Sequence, residues 1–114
     1  AQMSTPGNLI TPEYTSKAQQ IAQRFSSSVI GFVAQSRLAK GWHFTPGVHF
    51  SLSGDALGQG YKTPEQAIKR DGADIIIVGR GITQAKDPSK AAELYQQEIR
   101  RHIELRPVDS LVTA

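Results

Sequence analysis

Cysteine is absent from this chain of 114 residues. That excludes a disulfide framework and any thiolate metal site, and it is compatible with a reducing compartment. No apolar run approaches the ~20 residues needed to span a bilayer as a helix. The first residues, Ala1-Gln2-Met3-Ser4-Thr5, have no basic segment followed by an apolar one, so no secretory leader is expected. Nor is there a strong excess of one charge: 13 Lys and Arg against 10 Asp and Glu give a formal +3. The basic residues are spread along the sequence. The densest groups, Lys69-Arg70 and Arg100-Arg101, fall in segments that read as helix, so a nucleic-acid partner is not expected. What is present is a globular composition, 39% hydrophobic and 20% charged, in a chain long enough for one domain.

Three helices announce themselves by the same device, a capping residue followed by proline. Thr11-Pro12-Glu13 opens the first, with Ala18, Ile21, Ala22 and Phe25 on one apolar face before Ser26-Ser27-Ser28 breaks the pattern. Thr63-Pro64-Glu65-Gln66 opens a second, short helix with the spacing of a capping box, ending near Asp71-Gly72. Asp87-Pro88-Ser89 opens a third that runs to about Leu105, with Ala92, Tyr95, Ile99 and Ile103 as its apolar stripe. Between them lie three strand-like runs. Val29 to Ala34 and Asp74 to Gly79 are apolar on both faces, as strands buried in a parallel sheet would be, and His43 to Val48 runs into a turn. Including a strand-like stub at the start, the alternation predicts an α/β fold with a parallel sheet.

The residues with chemical potential cluster where these strands end. Gly79-Arg80-Gly81 closes the last strand, and glycine backbone beside a guanidinium fork suits a phosphate; an ordinary turn with an exposed Arg fits the same residues. Gly58-Gln59-Gly60-Tyr61 offers Gln and Tyr donors on Gly-rich backbone, although a plain loop would read the same way. Thr45-Pro46-Gly47-Val48 reads as a strand-ending turn, and Ser4 stands alone on the stub. His43, His49 and His102 have no metal-type spacing with acidic partners, so no metal is expected. His102 reads as a cation favouring the negative end of its helix, and Glu93, Glu98 and Glu104 as solvated charges. No Gly-x-Ser-x-Gly nucleophile motif occurs.

Six segments occur together in order: Ser4-x-x-Gly7-Asn8-Leu9, Glu13-Tyr14-Thr15, Val29 to Gln35, Thr45-Pro46-Gly47-Val48, Gly54-Asp55-x-Leu57-Gly58-Gln59-x-Tyr61, and Asp74 to Gly81. The pattern resembles the C-terminal half of orotidine 5′-phosphate decarboxylases, particularly those of fungi and animals. The resemblance implies a TIM (β/α)8 barrel, of which residues 1–105 would supply about strands 5–8 and their helices, with 106–114 a tail or a linker to a further domain. It implies a cytoplasmic homodimer that converts orotidine 5′-monophosphate to UMP with neither metal nor cofactor. By the same resemblance Ser4 would contact the pyrimidine edge and Pro46 would wall the apolar side of the base. Gln59 and Tyr61 would lie on a loop closing over the phosphate, which Gly79 and Arg80 would grip. Many relatives have a second Gln at the position of Gly60, a departure that would soften this loop.

The family's catalytic array, an alternating cluster of the Asp-Lys-x-x-Asp type, has no match here, because Lys62, Lys69 and Lys86 lack that acidic pairing. No catalytic residue is therefore expected in this chain, which would need an N-terminal half of the same barrel as its partner. The alternatives are a non-catalytic module that retains nucleotide or phosphate binding, and a related barrel acting on another sugar phosphate.

Overall fold

The computed structural model describes residues 1–38, 40–51 and 60–104. The expected order of elements is found. Helix α1 (Pro12–Arg24) is followed by strands β1 (Gly31–Val33) and β2 (Trp42–Thr45), a π-helical turn (Gln66–Arg70), strand β3 (Ile75–Ile76), a one-turn helix α2 (Arg80–Thr83) and helix α3 (Pro88–Glu104). The strands lie side by side in the order β1-β2-β3, all parallel. The register places Phe32 beside His43 and Thr45 beside Ile76. Main-chain bonds outside the strands prolong the ladder, from Ile77 N to Thr45 O (2.8 Å) and from Ala34 N to Phe44 O (3.0 Å). The N-terminal stub, read as strand-like, forms no strand. It nevertheless lies along β1, with the Ala1 ammonium donating to Val33 O at 2.7 Å and Gln2 N to the same oxygen at 3.4 Å.

The caps work as their residue types require. The Thr11 hydroxyl accepts from Tyr14 N at 3.2 Å, and an Asp87 carboxylate oxygen accepts from Lys90 N at 3.1 Å. Thr63 and Gln66 form the reciprocal pair of a capping box, at 3.1 and 3.2 Å. The helix that this box opens is only partly α-helical, because Asp71 N bonds to Gln66 O, five residues back, rather than four. The segment Gly79-Arg80-Gly81 enters the first turn of α2.

Burial corrects two expectations. Register and side-chain alternation put Phe32, Ala34, His43, Thr45, Ile76 and Val78 on one face of the sheet. On that face His43 is 2% exposed and Thr45 is fully buried, and Ile76 and Val78 pack on a core of Val48, Ala67 and Ala73. The opposite face carries Val33, Trp42, Ile75 and Ile77, and it stays open among the described residues. The strands are therefore buried on one side only in this chain. Likewise α1 buries only Thr15 and leaves Ile21 and Phe25 exposed. In α3 the buried side chains are Tyr95 and His102, whereas Ala92, expected in the stripe, is exposed.

Candidate functional site

The strand ends gather several of the residues singled out in the sequence. Pro46 follows directly on β2, and Gly47 turns the chain with φ +71, a left-handed conformation that glycine adopts without strain. Beyond it, Val48 forms a parallel bridge with Lys62. His49 N donates to Lys62 O, and Lys62 N donates to Gly47 O, both at 2.9 Å. These bonds hold Tyr61 beside the carboxyl end of β2. Gly79 and Arg80 follow β3 at the same rim, where Gly79 caps α2 and its carbonyl accepts from Ile82 N at 2.9 Å and Thr83 N at 3.0 Å. A Cβ on Gly79 would meet nothing within 4 Å, so this backbone faces open space.

Aromatic rings join these pieces. The His49 ring stacks on Tyr61 with centroids 4.8 Å apart, and Phe50 stacks on Tyr95 at 4.2 Å. The Tyr95 hydroxyl accepts from Phe50 N at 3.1 Å. Ser4 approaches from the other side: a Cβ on Gly60 would lie 3.2 Å from Ser4 O and 3.5 Å from Pro6 Cδ. A side chain at 60 would press on that carbonyl, which would have to shift slightly. Ser4, Tyr61 and the Gly79–Gly81 turn are thus linked by successive contacts along one rim. Gln59 lies outside the described residues.

A cleft of about 460 Å³ opens next to Ser4, between the N-terminal segment, the start of α1 and the chain after β1. Met3, Asn8, Ile10, Gln19 and Gln35 line it, but Pro46, Tyr61, Gly79 and Arg80 do not. It lies beside the chain that follows β1 rather than at the glycine–arginine turn after β3.

Below the rim, ion pairs fix the chain segments that carry it. The Lys62 ammonium donates to Asp71 Oδ2 at 2.7 Å and to Gln35 O at 2.8 Å, tying the residue after Tyr61 to the end of β1. Burial pushes the Asp71 carboxyl up, but hydrogen bonds from Arg70 and Lys62 outweigh it and hold the group below its ordinary value. Lys69 pairs with Glu65 at 3.2 Å. Lys62 and Lys69 thus each have one acidic partner. The Lys62–Asp71 pair spans the two ends of the π-helical turn and Lys69–Glu65 lies along it, four residues apart, and among the described residues neither belongs to an alternating Lys–Asp array. Arg37 holds both oxygens of Asp74, at 2.8 and 2.7 Å, and Asp74 also accepts from His43 N at 2.8 Å.

Sequence reasoning missed the histidines. His43 is buried, with Nε2 2.7 Å from the Thr45 hydroxyl and Nδ1 without a hydrogen-bond partner among the described residues. Burial pushes its imidazole below the ordinary value, and Arg37 and Lys62 add to this against the opposing charges of Asp74 and Asp71. His102 is 3% exposed rather than a solvated cap, and its Nε2 lies 2.7 Å from Glu98, which is likewise not a free surface charge. Period two puts His43 on the face of Thr45, but the apolar residue between them, Phe44, would be read as the buried one, so the sequence carried no signal for a buried His43. Among the described residues no three His, Asp or Glu side chains could share a metal ion, and no helix is long and apolar enough to cross a membrane.

Comparison with known proteins converges on one family. Residues 1–95 match the model of the orotidine 5′-phosphate decarboxylase / HUMPS family. The chain is 44% identical over 110 residues to an orotidine 5′-phosphate decarboxylase of Schizophyllum commune, covering 85% of this chain and 39% of that protein. It is 46% identical over 110 residues to the orotidine 5′-phosphate decarboxylase of Penicillium nalgiovense, covering 86% of this chain and 40% of that one. It is also 44% identical over 100 residues to a uridine 5′-monophosphate synthase of Bos taurus, of which it covers 21%. The chain thus spans about two fifths of the length of the fungal relatives it matches. Its parallel α/β sheet, its strand-end loops and its sequence together make it a member of the orotidine 5′-phosphate decarboxylase / HUMPS family.

Proposed function

We propose that this chain supplies the phosphate- and base-binding part of an enzyme that decarboxylates orotidine 5′-monophosphate to UMP. It corresponds to about strands 5–8 of a TIM barrel, with residues 1–105 as the half-barrel and 106–114 as tail or linker. The observation that carries the reading is the convergence of Tyr61 and the Gly79-Arg80-Gly81 turn at the carboxyl ends of parallel strands, where phosphates of barrel enzymes bind. In this reading Arg80 offers its planar fork to the phosphate, and Tyr61, with Gln59 on the same loop, adds neutral donors. Pro46 walls the base and Ser4 meets the pyrimidine edge. The phosphate does not react. Its binding energy instead orients and desolvates the ring at the distant reacting carbon.

The catalytic lysine and aspartates then come from an N-terminal half of the same barrel. The open sheet face, with Val33, Ile75 and Ile77 each at least 40% exposed, supports this partner, because side chains of the opposite strands fill the interior of a closed barrel. By family resemblance the complete enzyme is a cytoplasmic homodimer that uses no cofactor. Replacing Arg80 by Ala in the completed barrel is expected to raise KM about a hundredfold, the scale of a lost charge-assisted bidentate contact. Steady-state kinetics at varied orotidylate measures this, and an unchanged KM would contradict the phosphate role. A non-catalytic module would instead bind UMP with this chain alone, which calorimetry tests directly.

A further inference from the structure

We propose that Tyr95, on α3, is a positioning residue for the phosphate grip, acting on Arg80 and Tyr61 through contacts that no sequence motif marks. The inference rests on the phosphate-binding reading above. Tyr95 is 3% exposed on α3, yet it touches residues next to both halves of the grip, Gly81 beside Arg80 and the 49–50 segment beside Tyr61. Its hydroxyl accepts from Phe50 N at 3.1 Å, and its ring stacks on Phe50 at 4.2 Å. The neighbouring residue His49 stacks on Tyr61. On the other side the Tyr95 hydroxyl fills the space where residue 81 would carry a Cβ. A Cβ there would collide with that oxygen and lie 2.9 Å from His49 Cδ2. Gly81 directly follows Arg80 in the first turn of α2.

One phenol thus sets two distances. It fixes where the first turn of α2 rests, and so where the Arg80 backbone starts. It also fixes the 49–50 segment, on which the Tyr61 ring leans. Gly81 has no side chain because the phenol and the His49 ring occupy that place. A small displacement of either segment would separate donors that must meet one phosphate, and grip geometry is sensitive at that scale.

The test compares variants of the completed barrel by calorimetry with UMP and with uridine, which lacks the phosphate, together with kcat, KM and melting temperature. Tyr95→Phe keeps the ring but removes the bond to Phe50 N. It is expected to weaken UMP binding and raise KM about five- to tenfold, the scale of one lost buried hydrogen bond. Uridine affinity should stay within about twofold, a split from UMP that a general loss of packing would not give. Gly81→Ala should also weaken UMP. The double variant Gly81→Ala with Tyr95→Phe should bind UMP no worse than Gly81→Ala alone, because removing the hydroxyl takes away the tightest of the contacts that the new methyl meets.

Equal weakening of UMP and uridine by Tyr95→Phe, or additive losses in the double variant, would overturn the proposal. Arg80→Ala separates the two levels of the argument. If it weakens UMP while Tyr95→Phe does not, the positioning role fails and the phosphate reading stands. If Arg80→Ala leaves UMP binding unchanged, the phosphate reading fails and the positioning role falls with it.

Discussion

On one face of the three-stranded sheet His43 is 2% exposed and Thr45 is fully buried; on the other, Val33, Ile75 and Ile77 are 46%, 40% and 41% exposed. The strands are the same, and the residues on the bare face are the more apolar. The covered face is closed by chain from this polypeptide: Val48, the π-helical turn and the segment through Ala73. The bare face has nothing laid over it among the described residues. Contiguous exposed aliphatic surface on a sheet marks a place where other protein belongs. The contrast divides the sheet into a covered face, which stabilises the fold and positions the rim, and a face left open among the described residues.

Substitutions on the two faces should differ accordingly. The largest effect is expected from Ile68→Ala. Ile68 is 2% exposed in the π-helical turn, and its truncation leaves a cavity costing about 3 kcal/mol; denaturant unfolding of the chain measures it. Next comes Asp74→Asn, which leaves Arg37 without its counter-charge. Arg37 is 31% exposed on its side chain, so the cost is expected at about 2 kcal/mol rather than the larger figure for a fully buried pair.

A smaller effect comes from pH. The folded state holds His43 neutral, because a second proton would bury an N–H with no acceptor among the described residues, and its titration lies below the ordinary value of 6.5. The unfolded chain then binds more protons, so this contribution is complete above pH 6.5 and is lost as the pH falls through the lower folded value. Thermal melts at descending pH should show a decline that His43→Gln flattens. A profile identical in the variant would contradict the assignment. Asp71, also held below its ordinary value, acts in the same direction at lower pH, where protonation weakens its bonds to Lys62 and Arg70.

The smallest effect in this chain alone is expected from Ile75→Ser on the bare face, under about 0.5 kcal/mol, because little burial is lost. The same change should weaken union with an N-terminal half about tenfold, since the side chain would then be buried. Equal costs in both settings would mean that the face is never covered.

Much of this arrangement was legible in the residues. The capping pairs at Thr11, Thr63 and Asp87 carry local hydrogen-bonding instructions, so the helix starts followed from them. The parallel strands followed from β-branched runs separated by helices. Less legible were features set by tertiary contact. Two-sided apolar strands say that both faces need covering, not that this polypeptide covers both. His102 reads as polar in sequence, but its burial is decided by what packs on α3. The role of Gly81 depends on Tyr95, fourteen positions away, and no local pattern encodes a side chain filling another residue's missing Cβ. Pro46, Gly79 and Arg80 could be placed after strands from the sequence, whereas the stub that carries Ser4 forms no strand. Their common rim became visible only through the contacts of Gly60, His49 and Tyr61.

The central proposal is a division of labour: this part of the barrel grips the nucleotide, and its N-terminal half performs the chemistry. Following orotidylate absorbance while an N-terminal half is titrated into the chain tests it most directly. The account predicts no turnover from the chain alone and activity that rises to a plateau at equal amounts of the two halves. Turnover by the chain unaided, or silence from a folded one-to-one complex, would contradict it.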